Sequence, residues 1–167
     1  YKDQLVLTGE LNEIGEPIAT NMPESYRMGL ELMAGIRTNW GFSWEINAAW
    51  SRNRICNFTE TLYENEDLNG NQWKIDHGDT PIAFSPDFIL NNLFSYKYKQ
   101  FDVSLQSHYV SKQYMSNARQ EDQVLDAYFV SNLNLSYSFK LPFVKSATLG
   151  LTVYNLFNEE YENNGYA

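Results

Sequence analysis

The sequence predicts an all-β fold, an antiparallel transmembrane β-barrel to which these 167 residues contribute about seven strands. Three observations carry that expectation. Apolar and polar residues alternate with period two from Trp40 to Trp50, and apolar side chains return at the same period in later stretches. Long polar connections alternate with short turns along the chain. No apolar run reaches the roughly 18 residues that a membrane helix needs, which excludes a helical membrane protein and leaves a barrel open.

The strand at 40–54 shows the pattern best. Trp40, Phe42, Trp44, Ile46, Ala48 and Trp50 fall on one face, and Gly41, Ser43, Glu45, Asn47, Ala49 and Ser51 on the other. At roughly 3.3 Å per residue and a tilt near 40°, Trp40 to Trp50 covers about 25 Å of sheet height, the height of the apolar band of an outer-membrane barrel between its aromatic girdles. Arg52 and Arg54 follow on the apolar face, at the level of lipid headgroups and lipopolysaccharide phosphates, where guanidinium geometry matches phosphate. A half-buried strand of a soluble sandwich would show the same alternation. It would not require Trp at both ends with Arg just beyond.

The other elements follow in order. Residues 1–8 read as a strand, and 9–22 as a polar loop broken by Gly15 and Pro17. Residues 26–36 form a second strand, with Tyr26, Met28, Leu30, Leu32, Ala34 and Ile36 on one face. If Ile36 stands opposite Trp40, the turn is Arg37-Thr38-Asn39, with Asn39 in the left-handed conformation. Residues 57–85 read as a long surface loop, and 88–98 as a strand whose apolar face is interrupted by Asn92, at a bulge or a girdle position. Lys99-Gln100 is a tight turn into a strand at 101–109. A loop at 115–126, a strand at 129–139, a turn around Leu141-Pro142-Phe143 and a strand at 147–154 complete the chain. Strict alternation of long and short connections orients a barrel: the Trp40 end faces the periplasm and the Arg54 end faces outward.

Composition narrows the function. The net charge is −9 and no basic stripe is present, so no nucleic-acid partner is expected. The single Cys56 cannot make an internal disulfide and reads as a lone buried or loop thiol and not as a nucleophile, since no Cys–His pairing is apparent. Two histidines, His77 and His108, without a Cys/His cluster predict no dedicated metal site, no cofactor and no enzymatic activity. Asp67-Leu68-Asn69-Gly70-Asn71 lacks the glutamate that would complete a calcium loop and reads as solvated loop. Tyr1-Lys2-Asp3-Gln4-Leu5-Val6-Leu7 reads as the inside of a strand and not as a signal peptide, so the chain is expected to be a fragment of something larger.

Leu149-Gly150-Leu151-Thr152-Val153-Tyr154-Asn155-Leu156-Phe157-Asn158-Glu159-Glu160-Tyr161 resembles the C-terminal signature of TonB-dependent outer-membrane receptors. Tyr109-Val110-Ser111-Lys112-Gln113-Tyr114 and Arg27-Met28-Gly29-Leu30-Glu31 are similar to further stretches of that family. The resemblance implies a barrel of roughly 22 strands around an N-terminal plug. The present strands would be the fifteenth to the twenty-first, so residues 1–167 are expected to be a C-terminal portion of the barrel, without plug or final strand. It implies energised uptake of a scarce solute, such as a ferric siderophore, a cobalamin or an oligosaccharide, with force reaching the plug from TonB. The partners are then the receptor's own plug, TonB, outer-membrane lipid, lipopolysaccharide and the solute. Two other readings compete: a passive porin or structural barrel, and a soluble β-sandwich carbohydrate-binding module.

The candidate site residues fall into four groups. Trp40, Trp44, Trp50, Tyr26 and Tyr137 are expected to face lipid and form the girdles, and Arg52 and Arg54 to reach headgroups. Glu31, Glu45, Asn47 and Asp102 are expected on the lumen face, pairing with Arg27, Arg37 or the plug, or keeping the lumen wet. Tyr63, Trp73, His77 and Arg119 lie in predicted extracellular loops, where they either touch solute or pack the loop. His108 is expected to hydrogen-bond beside Gln106.

Overall fold

The structure, a computed structural model, describes residues 2–11, 17–63 and 72–165. Among the described residues the strands, in chain order, are β1 Lys2–Leu11, β2 Pro17–Arg37, β3 Phe42–Tyr63, β4 Gln72–Pro81, β5 Phe88–Tyr98, β6 Phe101–Val110, β7 Gln113–Tyr114, β8 Val124–Leu125, β9 Tyr128–Leu141 and β10 Val144–Val153. Among the described residues there is no helix. One antiparallel sheet runs β1-β2-β3-β5-β6-β9-β10, with β4 paired to the far half of β3 and β7–β8 forming a small separate hairpin. The fold is thus the expected all-β antiparallel fragment of a barrel, and the sheet is not closed.

Register fixes which side chains share a face. Ile36 pairs Trp44, which pairs Phe94, which pairs Leu105, which pairs Leu133, which pairs Val153. Directly opposite residues point the same way, so the apolar sets of β2, β3, β5, β6, β9 and β10 merge into one continuous face. It is open to the surroundings: Leu30 is 56% exposed, Trp50 54% and Leu149 70%. The buried core lies elsewhere, where Ile55, Phe58, Ile82 and Ala118 pack together at the end of the sheet that carries the long connections.

The short turns are Thr38–Gly41, Lys99-Gln100 and Pro142-Phe143, all at the opposite end. The first corrects the expected turn. Arg37 pairs Ser43, so Ile36 faces Trp44 and not Trp40, and Trp40 sits inside the turn. The left-handed residue is Gly41 (φ 97°), not Asn39. A side chain at 41 would run into the carbonyl oxygen of Lys97, whose own N–H donates to the Gly41 carbonyl at 2.9 Å. The close approach of β5 to this turn therefore selects glycine. Thr38 closes the turn by donating its hydroxyl to the Phe42 carbonyl and accepting from the Phe42 N–H. In the second turn Lys99 itself takes the left-handed conformation (φ 54°).

Two predicted loops are strands instead. Residues 9–11 and 17–22 are strand, with Leu11 opposite Pro17. Residues 57–85 hold the end of β3 and all of β4, joined in a hairpin that extends the sheet beyond the apolar band. Asn57, left-handed at φ 51°, marks a register shift between Ile55 and Phe58 that turns Phe58 into the core. The stretch 67–71 lies outside the described residues.

Candidate functional site

Two faces and one rim carry the chemistry. On the apolar face the polar residues are paired with one another. β5 runs without a register shift against both β3 and β6, so no bulge explains Asn92, which stands opposite Ile46 and Ser107. The Trp44 Nε1–H donates to its Oδ1 across the diagonal of the β3–β5 pair. Ser107 and Ser131, directly opposite and both buried, share a hydroxyl–hydroxyl hydrogen bond of 2.8 Å. These pairs satisfy polar groups that an apolar surrounding would otherwise penalise.

Aromatic rings mark both ends of this face. Trp40 stacks on Phe42 at 5.3 Å and lies 6.0 Å from Tyr96, and Tyr137 packs on Phe101 at 4.6 Å, near the short-turn end. Trp50 packs on Phe88 at 4.7 Å toward the other end. Tyr26, half-buried, stands opposite Arg54. Arg52 is exposed. Arg54 is engaged within the protein, ion-paired to Asp87 at 3.4 Å and donating to the Asn53 carbonyl at 2.9 Å.

The opposite face is polar and cross-linked by side-chain hydrogen bonds. Asn91 Nδ2 donates to Asn47 Oδ1 at 2.8 Å, and Asn91 Oδ1 lies 2.6 Å from His108 Nδ1. The expected partner, Gln106, is not the one used: it lies two residues along the same strand, whereas Asn91 is directly opposite in the register. Thr152 donates to Asn134, and Ser138 pairs Thr148. A shallow depression of about 430 Å³, whose lining includes Gly35, Glu45, Asn47, Asn91 and Gln106, opens on this face. Glu45 reaches Arg37 at 3.9 Å with both groups exposed, Glu31 is exposed opposite Ala49, and Asp102 stands opposite Lys97. Arg27 donates to Ser85 at 2.9 Å, joining β2 to the segment after β4.

The rim gathers the long connections. Ser51 donates to the Pro86 carbonyl, Asn117 accepts the Ala83 N–H, and Ser111 accepts the Phe88 N–H. Of the four predicted loop residues, Tyr63 ends β3 and Trp73 and His77 lie on β4, so these three belong to a hairpin and not to a loop. Trp73 is 51% exposed. His77 is bonded to Glu60 at 2.8 Å and stacked 6.0 Å from Phe58, which makes it part of the hairpin's packing. Arg119 is in the β7–β8 connection with φ 55°. Its hydrogen bond with Tyr114 raises its guanidinium further above the ordinary range. Cys56 is a half-buried thiol within β3.

Sequence reasoning missed Asn91, the Ile55–Phe58–Ile82–Ala118 core and Gly41. Two of these had a signal: Asn91 shares the period-two set of Ile89 and Leu93, opposite to Leu90 and Phe94, and Gly41 follows Asn39-Trp40 where a left-handed residue is needed.

An antiparallel sheet with one face apolar and ringed by aromatics, the other hydrogen-bonded and polar, and all short turns at one end is the wall of an outer-membrane β-barrel as a class. Residues 1–156 match the family described as TonB dependent receptor-like, beta-barrel, and the chain belongs to that family of outer-membrane receptors and transporters. No curated protein matches the chain at a significant level.

Proposed function

We propose that this chain is barrel wall in a receptor that takes up a scarce solute across the bacterial outer membrane with energy delivered by TonB, and that it carries no enzymatic activity. The observation that supports this most is that the registers of β2, β3, β5, β6, β9 and β10 place their apolar sets on one face and their polar sets on the other. In this reading Trp40, Trp44, Trp50, Tyr26 and Tyr137 meet lipid, and Arg52 reaches lipopolysaccharide phosphates while Arg54 is shared with Asp87. Glu31, Glu45, Asn47 and Asp102 face the lumen, where the receptor's own plug docks. The solute is a ferric siderophore, a cobalamin or an oligosaccharide, met first by the rim and the extended hairpins.

The test is uptake by the receptor as its gene encodes it, in a host with and without functional TonB. Three labelled probes are followed: a ferric catecholate, cyanocobalamin and a linear glucan oligosaccharide. Uptake of one probe that disappears without TonB is the expected result. Uptake that continues unchanged without TonB identifies a passive porin and overturns the proposal.

A further inference from the structure

The Asn155 side chain organises the turn that follows β10. Asn155 takes the left-handed conformation (φ 49°), as does Asn158 (φ 54°). The Asn155 amide bonds the backbone of Glu159 twice: its Oδ1 accepts the Glu159 N–H at 2.9 Å and its Nδ2 donates to the Glu159 carbonyl at 2.9 Å. The Asn155 backbone N–H donates to Asn132 Oδ1 at 2.9 Å, and the next N–H, of Leu156, donates to the Ser131 carbonyl at 2.7 Å. Asn155 and Leu156 thus tie the start of β9 to the chain leaving β10. Asparagine suits the position because it accepts the left-handed backbone and offers both a donor and an acceptor.

Beyond this turn the chain crosses to the polar face. Tyr161 stacks on Tyr128 at 4.5 Å. Tyr128 lies 6.1 Å from the His108 ring, which is bonded to Asn91 and through it to Asn47. Gly165 lies so close to Met115 that an added Cβ would strike its sulfur, with Leu125 also in reach. Residues 159–165 therefore bridge β9 and the β7–β8 hairpin, and Glu160, Tyr161 and Glu162 line a cavity of about 440 Å³ together with Val124, Asp126 and Ala127.

We infer that residues 159–165 form a strap over the outer end of the polar face, and that Asn155 is the positioning residue that locks it there. That the strap roofs a lumen rests on the proposed function; that Asn155 locks the strap does not. The simpler view is that Asn155 only terminates β10, which leaves the strap indifferent to its side chain.

The experiment traps the strap in the receptor as its gene encodes it, in outer membranes, with Cys56→Ser as background. Met115→Cys with Gly165→Cys puts thiols at two positions that meet in this structure, where a Cβ at 165 would touch the Met115 side chain. Under copper phenanthroline the pair is expected to close rapidly. Adding Asn155→Ala is expected to slow closure at least ten-fold in receptor that still shows the heat-modifiable mobility of a folded barrel. Asn155→Asp, which tolerates the left-handed backbone and still accepts from Glu159, is expected to restore much of the rate. Closure at the same rate with Asn155→Ala overturns the lock, and absence of closure with Asn155 intact overturns the strap.

If Asn155→Ala does not assemble, hydrogen exchange in the unchanged receptor decides. The Glu159 amide is expected to exchange at least ten-fold more slowly than that of Glu160, and equal exchange overturns the lock. Failure of TonB-dependent uptake leaves both readouts standing, so the two proposals fail separately.

Discussion

The indole N–H of Trp44 donates to the side-chain carbonyl of Asn92, joining β3 and β5 on the apolar face across 48 residues of sequence. A polar amide on that face needs a partner from the protein, because an apolar surrounding offers none. The tryptophan supplies it while its ring, stacked on Phe94 at 5.8 Å, stays within the apolar row.

Trp44→Phe keeps most of the apolar surface and leaves Asn92 without its donor. The expected cost is about 1–3 kcal/mol in urea unfolding of the receptor refolded into lipid vesicles. Adding Asn92→Leu is expected to recover most of it, because both partners are then apolar. Additive losses in the double variant would show that the hydrogen bond contributes nothing.

Charge placement separates the two faces. Ile46→Arg puts a cation on the apolar face, midway along the apolar band between Phe42 and Trp50, and is expected to cost about 2–4 kcal/mol. Asn47→Arg, one residue on, is expected to stay within about 1 kcal/mol. The same unfolding titration reads both, and equal effects would refute the assignment of the faces.

The first short turn depends on Gly41. Gly41→Ala forces a left-handed alanine against the Lys97 carbonyl and is expected to lose about 2 kcal/mol or more. Asn39→Ala, at the position where turn chemistry alone places the left-handed residue, is expected to change stability by no more than about 0.5 kcal/mol. Thermal unfolding in detergent ranks the two.

The extended hairpin has its own core. Phe58→Ala is expected to remove about 3–5 kcal/mol of packing among Ile55, Ile82 and Ala118. The loss should be local: proteolysis between residues 56 and 81 is expected to accelerate while the barrel keeps its folded gel mobility. Global unfolding of this variant would place the hairpin in the same cooperative unit as the membrane-length strands.

The sequence by itself determined the alternation, the apolar and polar sets of each membrane-length strand, and the end at which the turns are short. Side-chain direction in a strand is a local property with period two, so Trp44, Ile46 and Asn47 disclose their faces without reference to any other strand. The resemblance of 149–161 to a receptor signature likewise needed only neighbouring residues. Pairing is different. That Ile36 faces Trp44 and not Trp40 depends on β5 approaching Gly41, from residues more than fifty positions away. That 57–63 and 72–81 pair as strands depends on their meeting each other and on Phe58 finding Ile82 and Ala118, since their polar composition matches a loop equally well. Asn92 was legible as an anomaly and only the register resolved it, because its donor arrives from another strand. The tertiary structure decided partners, and partners convert a repeating local pattern into one sheet with one register.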